Sequence, residues 1–491
     1  MIILGISAYH FDSSACLLIN GKLVGAISEE RLGRRIKHDS SFPINAIKFL
    51  LESNNISIEN VDYVAVGQDK SKNLLAKINY SLTDIKNSYP AFLNSAKKLS
   101  KVNSIKDELK DLIIDKKKKI KFKVTRVEHH LAHTASSYLL SSFKGKSASL
   151  SFDGSGDFVS MMLSECKNNK IKILKKIYLP HSVGFFYTAI AQFLGFHNYG
   201  DEYKVMGLAA YGQDNNNYDM SKIIKLDDKG FYKINKKFIK MHSTGSAEKI
   251  FKSNVVIEKW FKPEIEQLLG KSRKPNTKIK QSHMDIAKAV QAHFEKISIE
   301  CIKKLSKLVK TKNLCLSGGC ALNGLLAGKI AKKTKFKNIY IPPASSDDGL
   351  SVGAAFYLWN NILNKKRTQP MKHAYWGPQY NNNQILKIIK KNKLSYKLIN
   401  NDNEICKRVS KLIASGNVIG WFQGREELGQ RALGNRSILA NPVIKSMKNI
   451  VNTKIKKRES FRPFAPSVLE EDMNIFFEEK LKSPFMNFVL N

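Results

Sequence analysis

The stretch "ASLSFDGSG", residues 148–156, reads as a strand that runs into a loop carrying Asp153 among small residues. It is followed by "FVSMMLSEC" (158–166) and "KIKILKKIYL" (170–179), which read as the two arms of a hairpin. The same order stands at the start of the chain. There "IILGIS" (2–7) leads into a loop carrying Asp12, and "SACLLI" (14–19) and "LVGAISEE" (23–30) follow. The turn "NGK" (20–22) joins the last two, a strong hairpin signal. Two copies of strand, acidic loop and hairpin predict a duplicated α/β unit, with the second lobe beginning near residue 147 and a cleft between the lobes.

That pattern is the one used by actin-like, sugar-kinase-like (ASKHA) nucleotide binders, in which the loops after the first strand of each lobe face the phosphates. Residues 73–120 read as mostly helical and lysine-rich, and further helices are expected near Ile190 and over 286–310. "NLCLSGG" (313–319) predicts a strand running into a helix that begins near Ala321, and "IYIPPASSDDGLSVGAAFYLW" (339–359) repeats strand, loop and helix. These segments place one domain over 1–363, a basic, turn-rich linker over 364–379 and a second domain over 380–491. The second domain has a different texture, arginine, glycine and proline among strands, and it stops inside the apolar run "FMNFVLN" (485–491), so a truncated domain is expected.

Bulk composition sets the class. Of 491 residues, 43% are hydrophobic and 25% charged, the balance of a globular protein. No run of 18 or more apolar residues occurs, so membrane insertion is not expected. The six cysteines are scattered without a C-x-x-C pair, so neither a disulfide framework nor a zinc ribbon is indicated, and a reducing cytoplasm fits. The net charge of +40 invites a nucleic-acid reading. Lysine is abundant even where no motif stands, as in "IIDKKKKIKFK" (113–123), so a solvated basic surface explains the charge better than a nucleic-acid face.

The candidate chemistry lies in the loops. In "EHHLAHTASSY" (128–138), His129 and His133 are four apart, which puts both imidazoles on one face of a helix in two-point metal-ligand geometry. His130 points off that face. Asp153 and either Asp347 or Asp348 would complete a site for Fe(II), Mn(II) or Zn(II). His10 and Asp12 stand in the loop after the first strand, where a histidine beside a carboxylate can serve as a general base. Gly318 and Gly319, between strand and helix, let a ligand approach the backbone. Lys204 stands among small residues in "GDEYKVMGLAAYG" (200–212). Arg425, Arg431, Arg436, Lys456, Arg458 and Arg462 cluster in the second domain, where arginine forks suit phosphates.

Nine motifs in one order cover nearly the whole chain: "HFDSSA", "SEERLGRRIKHD", "HHLAH", "DGSGD", "GDEYKVMGLAAYG", "SGGCALN", "PASSDDGLSVGAA", "GREELGQRALGNRSILA" and "KKRESFRPFAPSVL". The set resembles the O-carbamoyltransferases of nodulation-factor and antibiotic biosynthesis. The resemblance implies an actin-like transfer domain followed by an α+β, YrdC-like domain that makes carbamoyl-adenylate from carbamoyl phosphate and ATP. The carbamoyl group then passes to a hydroxyl of a small acceptor such as a sugar or glycan precursor. It further implies an iron site at His129, His133, Asp153 and Asp347, with His10 as the acceptor base, Asp12 beside it and Lys37 reaching the transfer site. Lys204, Gly318, Gly319 and Asn323 match nucleotide-contacting motifs, and Lys456 and Arg458 match a K-x-R element of the adenylation domain, with Arg425 and Arg462 nearby. The cofactors implied are ATP, with Mg(II), and Fe(II), and a homodimer is compatible with the family. Two readings compete: a tRNA threonylcarbamoyl-type modification enzyme, and a non-catalytic basic nucleic-acid-binding protein, which leaves the nine motifs unexplained.

Overall fold

The computed structural model describes residues 1–33, 37–83, 105–112, 121–214, 217–240, 249–251, 254–478 and 481–490. Of the expected helical stretch 73–120, Leu74–Thr83 and Ile105–Lys110 are helical and 73 and 111–112 are turn; 84–104 and 113–120, and residues 34–36 of the second motif, lie outside the described residues. Two compact units are present, one of Met1–Lys372 with Asn487–Leu490 and one of His373–Met486.

The first unit is built on two five-stranded sheets. The first contains β1 (Ile2–Ser7), β2 (Ser14–Ile19), β3 (Lys22–Ser28), β4 (Tyr63–Val66) and β5 (Lys123–Arg126), in the order β3-β2-β1-β4-β5. The second contains β6 (Ser147–Gly156), β7 (Val159–Lys167), β8 (Lys170–Tyr178), β9 (Asn313–Ser317) and β10 (Asn338–Tyr340), in the order β8-β7-β6-β9-β10. In each sheet the first strand is central, antiparallel to its hairpin partner and parallel to the next strand. The duplication expected from the two strand–loop–hairpin copies is therefore present, and the fold is mixed α/β with two sheets. Loops that leave the carboxyl ends of such central strands are where α/β sheets place ligands.

Helices fill the space around these sheets: α1 (Ile44–Ser53), α2 (His129–Tyr138), α3 (Val183–Phe193), α4 (Glu202–Ala209), α5 (Gln281–Leu308), α6 (Gly324–Lys333) and α7 (Leu350–Tyr357). The strand interiors are closed to water: Ile3, Leu4 and Ile6 of β1 and Leu150 and Phe152 of β6 are fully buried. Burying such side chains contributes about 1.5–3 kcal/mol each. Helix α7 needs its small residues, because a Cβ on Gly353 would stand 1.9 Å from the carbonyl of Ala132 in α2. That close packing fixes α2, the helix of the paired histidines, against the helix that follows Asp347. Arg367 reinforces the far end of α2 by donating to the carbonyls of Tyr138, Ser141 and Phe143 at 2.6–3.0 Å.

The second unit holds α8 (Asn382–Lys391), α9 (Asp402–Ala414) and an antiparallel pair, β11 (Ile419–Phe422) and β12 (Arg436–Leu439). Asn381 and Asn401 cap the two helices by accepting backbone N–H groups of the first turn. Glu427 organises the loop before β12 by accepting the N–H groups of Leu433, Asn435 and Arg436 at 2.8–3.1 Å.

Candidate active site

Helix α2 starts where two carboxylates meet its unsatisfied N–H groups. Glu128 accepts the N–H of Leu131 at 3.0 Å, and Asp157 accepts that of His129 at 2.9 Å. With its start pinned, the helix puts the rings of His129 and His133 4.6 Å apart, edge to face. Asp153, which lies within β6 rather than in the loop expected after it, and Asp347, in the turn after β10, close the other sides. His133 Nε2 lies 3.3 Å from Asp153 Oδ2 and 3.2 Å from Asp347 Oδ1, and His129 Nε2 lies 3.5 Å from Asp347 Oδ1. One donor atom from each of the four residues falls within 4.8 Å of all the others.

His129, His133 and Asp347 are at most 2% exposed. Their converging atoms, His129 Nε2, His133 Nε2 and Asp347 Oδ1, make no hydrogen bond. Buried polar atoms of this kind are costly unless something pairs with them. The electrostatics point the same way. Burial disfavours charge on all three, yet Asp153 and Asp347 together raise His133 to about 9. Burial keeps His129 well below the ordinary histidine range. Burial also works against ionised Asp347, but the neighbouring His10 and His129 hold it well below the usual carboxylate range.

His130 faces away, as its register on the helix requires. Its nitrogens are engaged by Ser151 Oγ at 2.5 Å and the carbonyl of Val159 at 2.9 Å, and burial pushes it down to about 3. His10 reaches the cluster from the loop after β1: its Nδ1 contacts Asp347 Oδ2, and its ring lies 5.4 Å from that of His129. The carboxylate beside His10 is thus Asp347, whereas Asp12 pairs with His38, Nδ1 to Oδ1 at 2.6 Å. Asp348, adjacent to Asp347 in the chain, is outside the four-residue group.

The remaining candidates are more dispersed. Gly319 N–H donates to Asp153 Oδ2 at 3.0 Å, so the glycine loop holds a member of the cluster. Gly318 has φ +88°, and a Cβ there would stand 2.2 Å from the carbonyl of Phe152. The side chain of Asn323 caps α6 through Leu326 N–H at 3.0 Å and exchanges hydrogen bonds with Gln291. Lys204 pairs with Asp201 at 2.9 Å and lies over the ring of Phe196. Lys37 is exposed, its ammonium 5.3 Å from the ring centre of Tyr203. In the second unit, Arg425 donates to the carbonyls of Trp376 and Gly377. Arg458 is anchored on Asn452 at 2.7 Å, and Arg462 pairs with Glu459 at 3.5 Å. Lys456 is held below the ordinary lysine range by partial loss of water and by the charges of Arg458 and Arg462, so these three cations share one neighbourhood.

Residues 2–356 match the family profile for the carbamoyltransferase N-terminus, and residues 410–491 match that for the carbamoyltransferase C-terminus. The chain belongs to the carbamoyltransferase family. Within that family it is 34% identical to the uncharacterized protein sll1178 of Synechocystis, over 99% of this chain and 78% of the other. It is 32% identical to the nodulation protein NolNO of Sinorhizobium fredii, over 99% of this chain and 66% of that protein. It is 31% identical to the 3'-hydroxymethylcephem-O-carbamoyltransferase of Streptomyces clavuligerus, over 35% of this chain and 31% of that enzyme. Among the described residues of this carbamoyltransferase-family chain, no helix is long and apolar enough to cross a membrane.

Two features of the site were not singled out in the sequence. Asp157, the last residue of the motif "DGSGD", is 4% exposed and binds the start of α2. Its position directly after a strand end, in an acidic glycine-rich turn, was the available signal. The Asp12–His38 pair joins two motifs, "HFDSSA" and "SEERLGRRIKHD", and nothing in either stretch announces the other.

Proposed function

We propose that this chain is an O-carbamoyltransferase that makes carbamoyl-adenylate from carbamoyl phosphate and ATP and passes the carbamoyl group to a hydroxyl of a small acceptor, a sugar or glycan precursor. The first unit is read as an actin-like transfer domain and the second as a YrdC-like adenylation domain, at work in the cytoplasm. The observation that carries the reading is the buried convergence of His129, His133, Asp153 and Asp347 beside His10.

The donor set fits a divalent transition metal, and Fe(II) is the ion proposed. Two imidazole nitrogens and two carboxylates are a mixed N/O set suited to such ions. The unpaired buried atoms His129 Nε2, His133 Nε2 and Asp347 Oδ1 would find their partner in a cation held among them. When bound, the metal would act as a Lewis acid on the carbamoyl carbonyl or the anhydride phosphate.

The protein groups supply the rest. Asp347 touches His10 Nδ1 and so fixes the ring, leaving Nε2 as the atom that takes the proton of the acceptor hydroxyl. In the first step water cleaves carbamoyl phosphate to carbamate and inorganic phosphate; a carbamate oxygen then bonds to the α-phosphorus of ATP, the bond from that phosphorus to the β-phosphate oxygen breaks, and pyrophosphate leaves as carbamoyl-adenylate forms. In the transfer, the hydroxyl oxygen bonds to the carbamoyl carbon, the bond from that carbon to the AMP oxygen breaks, and AMP leaves. The neighbouring Lys456, Arg458 and Arg462 are read as the group that meets the polyanionic reactants of the first step.

The test is to incubate the chain with Fe(II), ATP, labelled carbamoyl phosphate and a panel of sugar acceptors. Label should move to an acceptor hydroxyl with AMP released in equal amount. AMP release that does not require carbamoyl phosphate would overturn the reading, and label recovered on tRNA would replace it by the tRNA-modifying alternative.

A further inference from the structure

Asn487–Leu490 belong to the first unit, although the residues before them, as far as Met486, belong to the second. The chain turns into this segment at Met486, whose φ of +54° is uncommon for a residue with a Cβ. The segment is docked. Asn487 is 2% exposed, and its side-chain amide donates to the carbonyl of Ile341 at 2.8 Å. Val489 N–H donates to the carbonyl of Gly324 at 3.0 Å.

Two glycines of α6, four residues apart, make room for it. A Cβ on Gly324 would stand 3.0 Å from Val489 Cγ2, and a Cβ on Gly328 would stand 2.0 Å from the Val489 carbonyl. Gly328 lies inside the helix, where alanine is favoured and glycine weakens the element. The backbone of Val489 is what a larger residue there would meet.

The two anchors reach the two loops of the candidate active site. Ile341 follows β10 directly and leads through Pro342 into the turn that carries Asp347. Gly324 opens α6, which is entered from the glycine loop, and Gly319 N–H in that loop holds Asp153 Oδ2. The loops are already joined near the cluster, where Gly318 N–H donates to the Ser345 carbonyl at 2.7 Å. Asn487 and Val489 join them again, where β10 ends and α6 begins. Each tether removes backbone freedom that the loops would otherwise keep.

We propose that Asn487–Val489 is a positioning strap that holds the glycine loop and the Asp347 turn in register. It acts through Gly324 and Ile341, and so fixes the spacing of Asp153 and Asp347 on which the proposed metal site depends. That consequence rests on the function proposed above. Because the strap continues directly from the second unit, a shift at Met486 would pass to both loops.

The experiment is hydrogen–deuterium exchange of the full chain, with Asn487→Leu and Gly328→Ala as probes from opposite walls of the groove. Asn487→Leu keeps the approximate size and removes the donor; Gly328→Ala favours the helix and displaces Val489. Ile47→Val, in the core beside the first sheet, is the control. Both strap variants should speed exchange by about 10-fold or more in residues 318–324 and 342–349, leave residues 2–28 unchanged, and differ in this from the control. No local increase in either variant, or an increase spread evenly over the first unit, overturns the proposal. Co(II), a spectroscopic probe of the cluster, is titrated in parallel, and its affinity should fall roughly 10–100-fold in both strap variants. Where the natural chain binds Co(II), unchanged affinity in both variants overturns the positioning role. Where the natural chain binds none, the metal reading fails and exchange alone decides for or against the strap.

Discussion

Asp157 Oδ2 accepts the backbone N–H of His129 at 2.9 Å and that of Asp69 at 2.7 Å, so one buried carboxylate ties the helix of the paired histidines to the loop that follows β4. Lys70 supports it from 3.8 Å. Asp157→Ala should leave both N–H groups unpaired and destabilise the fold by about 1–3 kcal/mol. It should also weaken metal binding at His129 by roughly 10–100-fold, as removal of an outer support usually does. Asp157→Asn, which can still accept a hydrogen bond, should lose less of both. Thermal melts and a metal titration of the two variants check this, and equal losses would show that the charge rather than the hydrogen bond matters.

The adjacent histidines 129, 130 and 133 should separate cleanly. His133→Ala removes a converging nitrogen from the cluster and should abolish metal binding there. His130→Ala should retain the metal, because neither of its nitrogens faces the cluster. It should nevertheless cost about 1–3 kcal/mol of stability by orphaning Ser151 Oγ and the Val159 carbonyl. Elemental analysis alongside denaturant unfolding distinguishes the two; loss of metal from both variants would refute this assignment.

The separation of these histidines was legible in the sequence, because a spacing of four fixes a shared helix face whatever the tertiary fold. The two lobes were legible for a similar reason: each first strand is followed by an acidic loop and a hairpin, and these are local patterns. Asp153 could be named from the lobe repeat. Asp347 could be separated from Asp348 only by family resemblance, since side chains of neighbouring residues in a turn diverge in ways that no periodicity encodes. The partner of Asp12 was not legible at all. His38 reaches it across a turn whose path is set by packing, and His10, next but one in the chain, turns instead to Asp347.

A pH effect should arise outside the four-residue cluster, at His293. Burial lowers its affinity for a proton, more than the carbonyl of Ile224, 2.7 Å away, restores it. The folded state therefore binds this proton less readily than the unfolded chain, whose histidines titrate near 6.5. The stabilisation is fully present above about pH 6.5 and is lost as the pH falls below it. His293→Gln keeps a donor for Ile224 without the titration. The stability of the natural chain relative to this variant should thus fall as the pH drops from 7.5 to 5.5, and a constant difference across that range would refute the assignment.

Thiol reactivity should be sharply unequal. Burial pushes Cys16, Cys301 and Cys315 up to about 12 and Cys166 and Cys320 well above the ordinary range, whereas Cys406 is exposed on α9. Thiolate is the reactive form, so a thiol reagent at pH 8 should label Cys406 quickly and the others only on unfolding. Cys406→Ser should remove the fast phase from the native protein and leave five of the six cysteines reactive in denaturant.

The second unit offers the sharpest contrast between a site and a merely basic surface. Lys454 and Lys456 are both exposed and two residues apart, and partial loss of water together with the charges of Arg458 and Arg462 depresses Lys456. Cations held close together repel one another, and an anion bound among them removes that repulsion. Arg458 is the rigid member, fixed by Asn452 and lying 4.8 Å from the centre of the Phe464 ring. Losing a charge-assisted contact costs about 1.5–3 kcal/mol, or roughly 10–100-fold in affinity. Arg458→Ala and Lys456→Ala should each weaken ATP binding to the full chain by that factor, while Lys454→Ala should change it less than about 2-fold. Calorimetric titration decides the matter: equal losses in all three would return the cluster to the general lysine-rich surface that gives the chain its net charge of +40.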